Sequence, residues 1–142
     1  MIAIGSDHAG FSMKQAILTY LQEKKIDFTD KGTFSAESTD YPEFAHAVSS
    51  EVENQRAKFG ILLCGSGNGV AMAANKHSDI RCALCWTKEL AVLARSHNNA
   101  NVLAIPAKFI SLDVAKEMVD GFLSEDFEGG RHERRVNKIA LI

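Results

Sequence analysis

Cys64 is followed at once by Gly65-Ser66-Gly67-Asn68-Gly69, three glycines in five residues. Such a stretch lets the backbone bend tightly and approach a ligand closely. The apolar run at 59–63 before it reads as a buried strand, and Val70 to Asn75 after it reads as the first turns of a helix. A loop between a strand and a helix N-terminus turns unpaired backbone amides toward an anion. Cys64 places an ionisable group at the lip of that loop. A thiol beside a helix N-terminus ionises more readily, so Cys64 is a candidate nucleophile or general base. Its alternative reading is a small buried residue closing a strand. The loop is neither the dinucleotide G-x-G-x-x-G fingerprint nor a Walker loop, because no lysine follows at the required spacing. It offers amides for an oxyanion or a phosphate, or else it is only a tight turn.

Other residues with chemical potential are scattered. Asp7 and His8 fall in a turn after the first apolar run, where either would also serve as a helix cap. Arg131 and Arg135 are four apart on one helical face within the densest basic cluster, which also holds His132 and Arg134. Two adjacent guanidinium groups grip a phosphate well, and a solvated basic face is the plainer reading. Cys82 and Cys85 form a C-x-x-C pattern on a strand, where residues three apart point to opposite faces. No second pair completes a metal set, so they read as structural, and no metal site or cofactor is expected. His46 and His77 have no evident polar company and read as surface residues.

These residues depend on the elements that carry them. Apolar runs at 1–6, 26–31, 59–63, 80–84 and 101–105 read as strands. Stretches of helical periodicity at 11–25, from Tyr41 onward, after the Cys64 loop, at 87–96 and at 112–123 alternate with them. Pro42 sits near a helix start, where it is tolerated. The alternation predicts an α/β fold, a parallel five-stranded sheet with helices on both faces. Order 2-1-3-4-5 is the simplest arrangement. It places strands one and three side by side where the winding reverses, and ligands bind outside the C-terminal ends of strands at such a point. Asp7-His8 and the Cys64 loop both converge there. His97 does not. It ends a helix and precedes the fifth strand, so it lies at the opposite edge of a sheet roughly 17 Å across. It is then either structural or part of a neighbouring subunit's cleft.

The chain has 142 residues, 46% hydrophobic and 24% charged, which suits one soluble globular domain over residues 1–142. A net charge of -2 argues against nucleic acid as the main partner. No run is long enough to span a membrane, and no signal peptide is seen. Free cysteines suit a reducing compartment, so a cytoplasmic location is expected. Gly129-Gly130 breaks the chain before a basic tail ending in Ile139, Leu141 and Ile142, which is expected to dock on a partner subunit.

Taken together, G-S-D-H-A-G near the start, D-Y-P at 40–42, G-I-L-L-C-G-S-G-N-G at 60–69, A-A-N-K at 73–76, H-N-N-A-N at 97–101 and G-G-R-H-E-R-R at 129–135 resemble the B-type ribose-5-phosphate isomerases. The wider family includes galactose-6-phosphate isomerase subunits and an allose-6-phosphate isomerase. The resemblance runs along nearly the whole chain in order. It implies a three-layer Rossmann-like sandwich and a metal-free aldose-ketose isomerase interconverting ribose 5-phosphate and ribulose 5-phosphate through an enediolate, in the non-oxidative pentose phosphate branch. It assigns Cys64 as the base and His97 as the proton donor that opens the sugar ring. Asp7, Tyr41, Gly65, Ser66, Gly67, Asn68, Gly69 and Asn98 would line the sugar site, with His8, Arg131 and Arg135 on the phosphate side. It also implies homodimers or homotetramers with sites shared across an interface, so that His97 would act in trans.

Position 66 is Ser where Thr is common in the family, and the hydroxyl is retained. Position 108 is Lys where another polar residue is frequent, and its location fits a phosphate contact. Some relatives use a Glu further along the loop as base, but positions 69 and 70 here are Gly and Val. The competing readings are a hexose-6-phosphate isomerase, with the same reacting atoms and a longer cleft, and a non-catalytic sugar-phosphate-binding module.

Overall fold

A computed structural model describes residues 1–141; Ile142, the last residue of the expected apolar tail, lies outside the described part. The elements in order are β1 (Ile2–Ser6), α1 (Phe11–Glu23), β2 (Phe28–Asp30), α2 (Tyr41–Glu53), β3 (Phe59–Cys64), α3 (Asn68–Ala74), β4 (Cys82–Leu84), α4 (Lys88–Ser96), β5 (Val102–Pro106), α5 (Leu112–Ser124) and α6 (Arg131–Val136). The expected alternation is therefore present, with boundaries shifted by a residue or two.

β1, β3 and β5 are buried at every position, as strands of a parallel sheet covered on both faces must be. Successive side chains then divide between two cores. Ile2, Ile4, Phe59, Ile61, Leu63, Leu103 and Ile105 face Ile17 and Leu21 of α1, Ala91 and Ala94 of α4, and Met118 and Phe122 of α5. Ala3, Leu62, Cys64, Val102 and Ala104 face Ala45, Val48 and Val52 of α2 and Val70, Ala71 and Ala74 of α3. The result is a three-layer α/β sandwich. Two helices take their N-caps from side chains, with the Thr87 hydroxyl accepting from the Leu90 amide and the Ser111 hydroxyl from the Val114 amide, as capping chemistry favours.

All strand pairs are parallel, and the sheet order is β2-β1-β3-β5-β4. This corrects the expected order 2-1-3-4-5. β4 has only three residues, all partly exposed, whereas β5 has five, all buried. A short, half-covered strand suits an edge, and a strand apolar on both faces needs a neighbour on each side. The reversal of winding between β1 and β3 survives the change. β5 now lies against β3, with Gly60 opposite Val102 and Cys64 opposite Pro106.

Candidate active site

The C-terminal ends of β1, β3 and β5 meet at Cys64. Its side chain is buried, and its Sγ accepts a hydrogen bond from the Gly67 amide at 3.1 Å. Gly67 makes that contact in the left-handed region, with φ of 78°, where a side chain is disfavoured. Ser66 Oγ accepts from the Asn68 amide at 3.2 Å. Gly69 lies directly under the ring of Tyr41, and a Cβ there would stand 2.4 Å from Tyr41 Cε1. The loop is thus roofed by the first residue of α2.

From β1, the Asp7 amide donates to Leu63 O at 3.3 Å, and Asp7 Oδ1 accepts from the Gly10 amide at 3.0 Å. Asp7 is not the cap of α1, whose N-cap is Gly10 with no side-chain cap bond; its carboxylate instead closes a tight turn ahead of the helix. The His8 amide donates to Thr39 Oγ1, and His8 Nδ1 accepts from the Thr39 amide, both at 3.2 Å. A backbone N–H only donates, so Nδ1 is an acceptor here and the proton of the neutral ring sits on Nε2. From β5, the Ala107 amide donates to Cys64 O and the Lys108 amide to Gly65 O, at 2.9 and 3.0 Å. Placing β5 beside β3 is what carries Lys108 to this loop. Asp7, His8, Tyr41, the 65–69 loop and Lys108 therefore stand together around Cys64.

His97, Asn98, Arg131 and Arg135 do not join them. His97 caps the C-terminus of α4, just before the residues that begin β5. The β3–β5 register sets Val102 and Pro106 four residues apart along the sheet, a rise of about 13 Å. His97 lies beyond the Val102 end and Cys64 at the Pro106 end. Around His97 a second polar cluster forms. Its ring stacks on that of His132, with centroids 4.1 Å apart and planes at 11°. Glu128 faces both, with Oε2 3.8 Å from His97 Nε2 and Oε1 3.7 Å from His132 Nε2. The Glu128 amide donates to Ser96 O at 3.0 Å, fastening the tail to the end of α4. Arg131 and Arg135 are exposed on the same short helix α6. Burial, then the neighbouring His97 and Arg131, pushes the His132 ring below the usual histidine range.

Sequence reasoning missed several of these relations. The absence of any metal-type ligand cluster, expected from spacing, does not hold in three dimensions, because His97, Glu128 and His132 bring their ligand atoms within 4.8 Å of one another. The i,i+4 spacing of Glu128 and His132 was the visible signal. His46 and His77 are not without company: His46 Nδ1 lies 2.7 Å from His77 Nε2, and His77 Nδ1 lies 2.6 Å from Glu53 Oε1. Arg95 was not singled out at all. It is buried, with its guanidinium 4.6 Å from the Phe59 ring centroid, and donates to Ala100 O, Asn99 Oδ1 and Glu125 O. It holds the turn that presents His97 and Asn98. Cys82 and Cys85 do point into opposite cores. Burial pushes the Cys82 thiol up to about 12 and the Cys85 thiol to about 11, so neither is a thiolate at neutral pH.

The family profile described as Ribose/Galactose Isomerase matches residues 2–139. The chain belongs to this family. Ribose-5-phosphate isomerase B of Escherichia coli K12 is 44% identical over 141 residues, covering 99% of this chain and 95% of that protein. The structure of a Thermotoga maritima ribose 5-phosphate isomerase matches with a TM-score of 0.98 at 50% identity, covering 99% of this chain and 97% of the other. The Mycoplasma genitalium ribose-5-phosphate isomerase B solved with bound ribulose 5-phosphate matches with a TM-score of 0.93 at 43% identity, covering 97% and 92%. The fold and the isomerase class of this member of the family rest on these matches. Among the described residues, no helix is long and apolar enough to cross a membrane.

Proposed function

We propose that the protein interconverts ribose 5-phosphate and ribulose 5-phosphate by proton transfer, with Cys64 as the base. The observation that carries this reading is the placement of Cys64. It is the one ionisable side chain within the loop 64–69, hydrogen-bonded to a loop amide and flanked by Asp7, His8, Tyr41 and Lys108. In the open-chain aldose, the Cys64 thiolate removes the proton on C2. The C–H electrons form the C1–C2 double bond, and the carbonyl electrons move onto O1. A hydroxyl proton passes from O2 to O1, and the Cys64 proton returns at C1 to leave the ketose. Loop amides aimed at the developing oxyanion stabilise it without reorganising. A single base serves both carbons because the enediolate is planar and both lie on one face.

The substrate closes to a furanose, and opening it takes a proton donor at the ring oxygen. His97 fills that role from a neighbouring subunit, since its own Cys64 is at the far end of the sheet. Asn98 comes with it. His8 Nε2–H, Lys108, Arg131 and Arg135 bind the phosphate, and that remote binding energy fixes the reacting carbons for transfer. The tail after Gly129 docks on the partner subunit in this arrangement, and the working unit is a homodimer or an assembly of dimers in the cytoplasm. The relatives compared above carry pentose-phosphate names, which favours the pentose over a hexose 6-phosphate.

The test is turnover of ribose 5-phosphate against allose 6-phosphate by wild type and Cys64→Ala. The pentose is expected to be the better substrate. The variant should lose turnover while still binding a non-isomerisable sugar phosphate. Near wild-type turnover in Cys64→Ala would sink the mechanism, and a clear preference for the hexose would reassign the substrate.

A further inference from the structure

We propose that His97, Glu128 and His132 form a binding site for one borderline divalent cation of the Zn2+ type, and that loading it stops the isomerase by occupying the His97 ring. The second half rests on the reading of His97 as the ring-opening donor; the first does not.

The geometry is that of a three-ligand site open on one side. Stacking of the two imidazoles nearly parallel puts both Nε2 atoms toward the same carboxylate, one oxygen to each ring at 3.8 and 3.7 Å. A tetrahedral Zn2+ with ligands near 2.0–2.2 Å holds its donor atoms about 3.4 Å apart. The present donors all lie within 4.8 Å of one another. Closing on a metal turns one imidazole out of the stack, so that both Nε2 lone pairs meet at one point, while Glu128, with 57% of its side chain exposed, moves in as the third ligand. Two imidazoles and a carboxylate suit zinc, with water in the fourth position.

Neutral rings are the ligating form. Arg131 and Arg135, exposed on the same short helix as His132, repel a dication, so the affinity is set below that of a dedicated structural zinc site. The site is built into the tail rather than the Cys64 cleft. Glu128 anchors to Ser96 O through its amide, so the cation would bridge the end of α4 to α6 and withdraw a nitrogen that the reaction needs.

Co2+ is the probe for the site and Zn2+ for its effect. Titrating the intact protein with Co2+ should give one visible d–d band per chain without a thiolate charge-transfer band. Glu128→Gln and His132→Gln should each weaken Co2+ and Zn2+ binding by at least about tenfold, no less than the loss typical of an outer-shell partner. Cys64→Ala and His46→Gln should leave it unchanged. Wild-type affinity in both Glu128→Gln and His132→Gln overturns the site, as does a thiolate band that Cys64→Ala removes. In the isomerase assay, Zn2+ should inhibit wild type with a midpoint equal to its binding constant and reversibly by chelator. Glu128→Gln, scaled to its own metal-free rate, should need at least about tenfold more Zn2+. Stoichiometric binding with an unaffected rate would overturn the inhibitory half. Should the chain prove to have no isomerase activity, the cobalt spectrum still decides the site, so the two failures are distinguishable.

Discussion

Mixing two inactive variants is the sharpest test of how the site is assembled. Cys64→Ala lacks the proposed base and His97→Asn lacks the proposed ring-opening donor. Within one chain these residues stand at opposite ends of the β3–β5 pair, separated by the rise from Val102 to Pro106 and more, about 13 Å at the least. Catalytic contact needs hydrogen-bond reach of about 3 Å, so on the proposed roles a site must draw them from different chains. At equal mixing, half the chains supply a wild-type Cys64 and the other half a wild-type His97. A randomly assembled site then has both with a probability of about one quarter, whatever the size of a symmetric oligomer. A site built from a single chain would never have both. The assay is turnover of ribose 5-phosphate after subunit exchange, with exchange itself verified by native mass spectrometry of differently tagged chains. Activity should rise to about one quarter of wild type at equal mixing and fall away symmetrically as either variant comes to dominate. Demonstrated exchange with activity still at the level of the unmixed variants would refute the shared site.

Further outcomes are expected elsewhere in the chain. Gly69→Ala drives a Cβ to 2.4 Å from the Tyr41 ring; the ring is partly exposed and able to swing away, and Ala favours the helix by about 1 kcal/mol. Thermal stability should therefore hold while kcat/KM falls by more than about tenfold, and an unchanged rate would remove Tyr41 from the site. Arg95→Ala strips the buried clamp on Ala100 O, Asn99 Oδ1 and Glu125 O, costing about 3 kcal/mol, and calorimetry should show Tm lower by roughly 6–12 °C. The lowered His132 value means that the folded tail binds its proton less readily than the unfolded chain does. The tail's stability should therefore be full above about pH 6.5 and decline as pH falls through that unfolded value. Hydrogen exchange of α6 should show that decline in wild type and a smaller one in His132→Gln; identical profiles would discount the ring. Cys82 and Cys85, pushed up to about 12 and 11, should stay unalkylated by iodoacetamide at pH 8, as mass mapping of the folded protein would report.

How much of this was legible in the sequence depended on the kind of contact involved. Periodicity reports which face of an element is apolar, so the strands, the helices and the switch point beside Cys64 could be read directly. It does not report which strand is central. The choice between β4 and β5 turned on burial of Val102-Leu103-Ala104-Ile105 on both faces, against a three-residue β4 left partly exposed. Shortest-connection reasoning ignores that difference. The Glu53–His77–His46 chain and the bond from Arg95 to Glu125 O join residues from separate elements whose relative placement is a product of packing. No local spacing announces them. The Glu128–His132 pair is local, but His97 enters it only because the tail folds back onto the end of α4.

The corrected strand order bears directly on why a single chain would be inert. β5 lies between β3 and β4, and its two ends lead to different polar clusters. Past Pro106 the chain turns into Ala107 and Lys108, which hydrogen-bond to Cys64 O and Gly65 O. Before Val102 it comes from Asn98 and His97, stacked against the tail. β5 therefore acts as a spacer of fixed length between the two halves of the proposed site. Bringing them together within one chain would mean breaking the β3–β5 ladder through the middle of both cores, where all five β5 residues are buried. No hinge or loop movement does that. On the proposed roles of Cys64 and His97, association is then a condition of catalysis set by the sheet itself. Substitutions that weaken association should lower activity in proportion to the dissociated fraction even where the isolated fold stays intact.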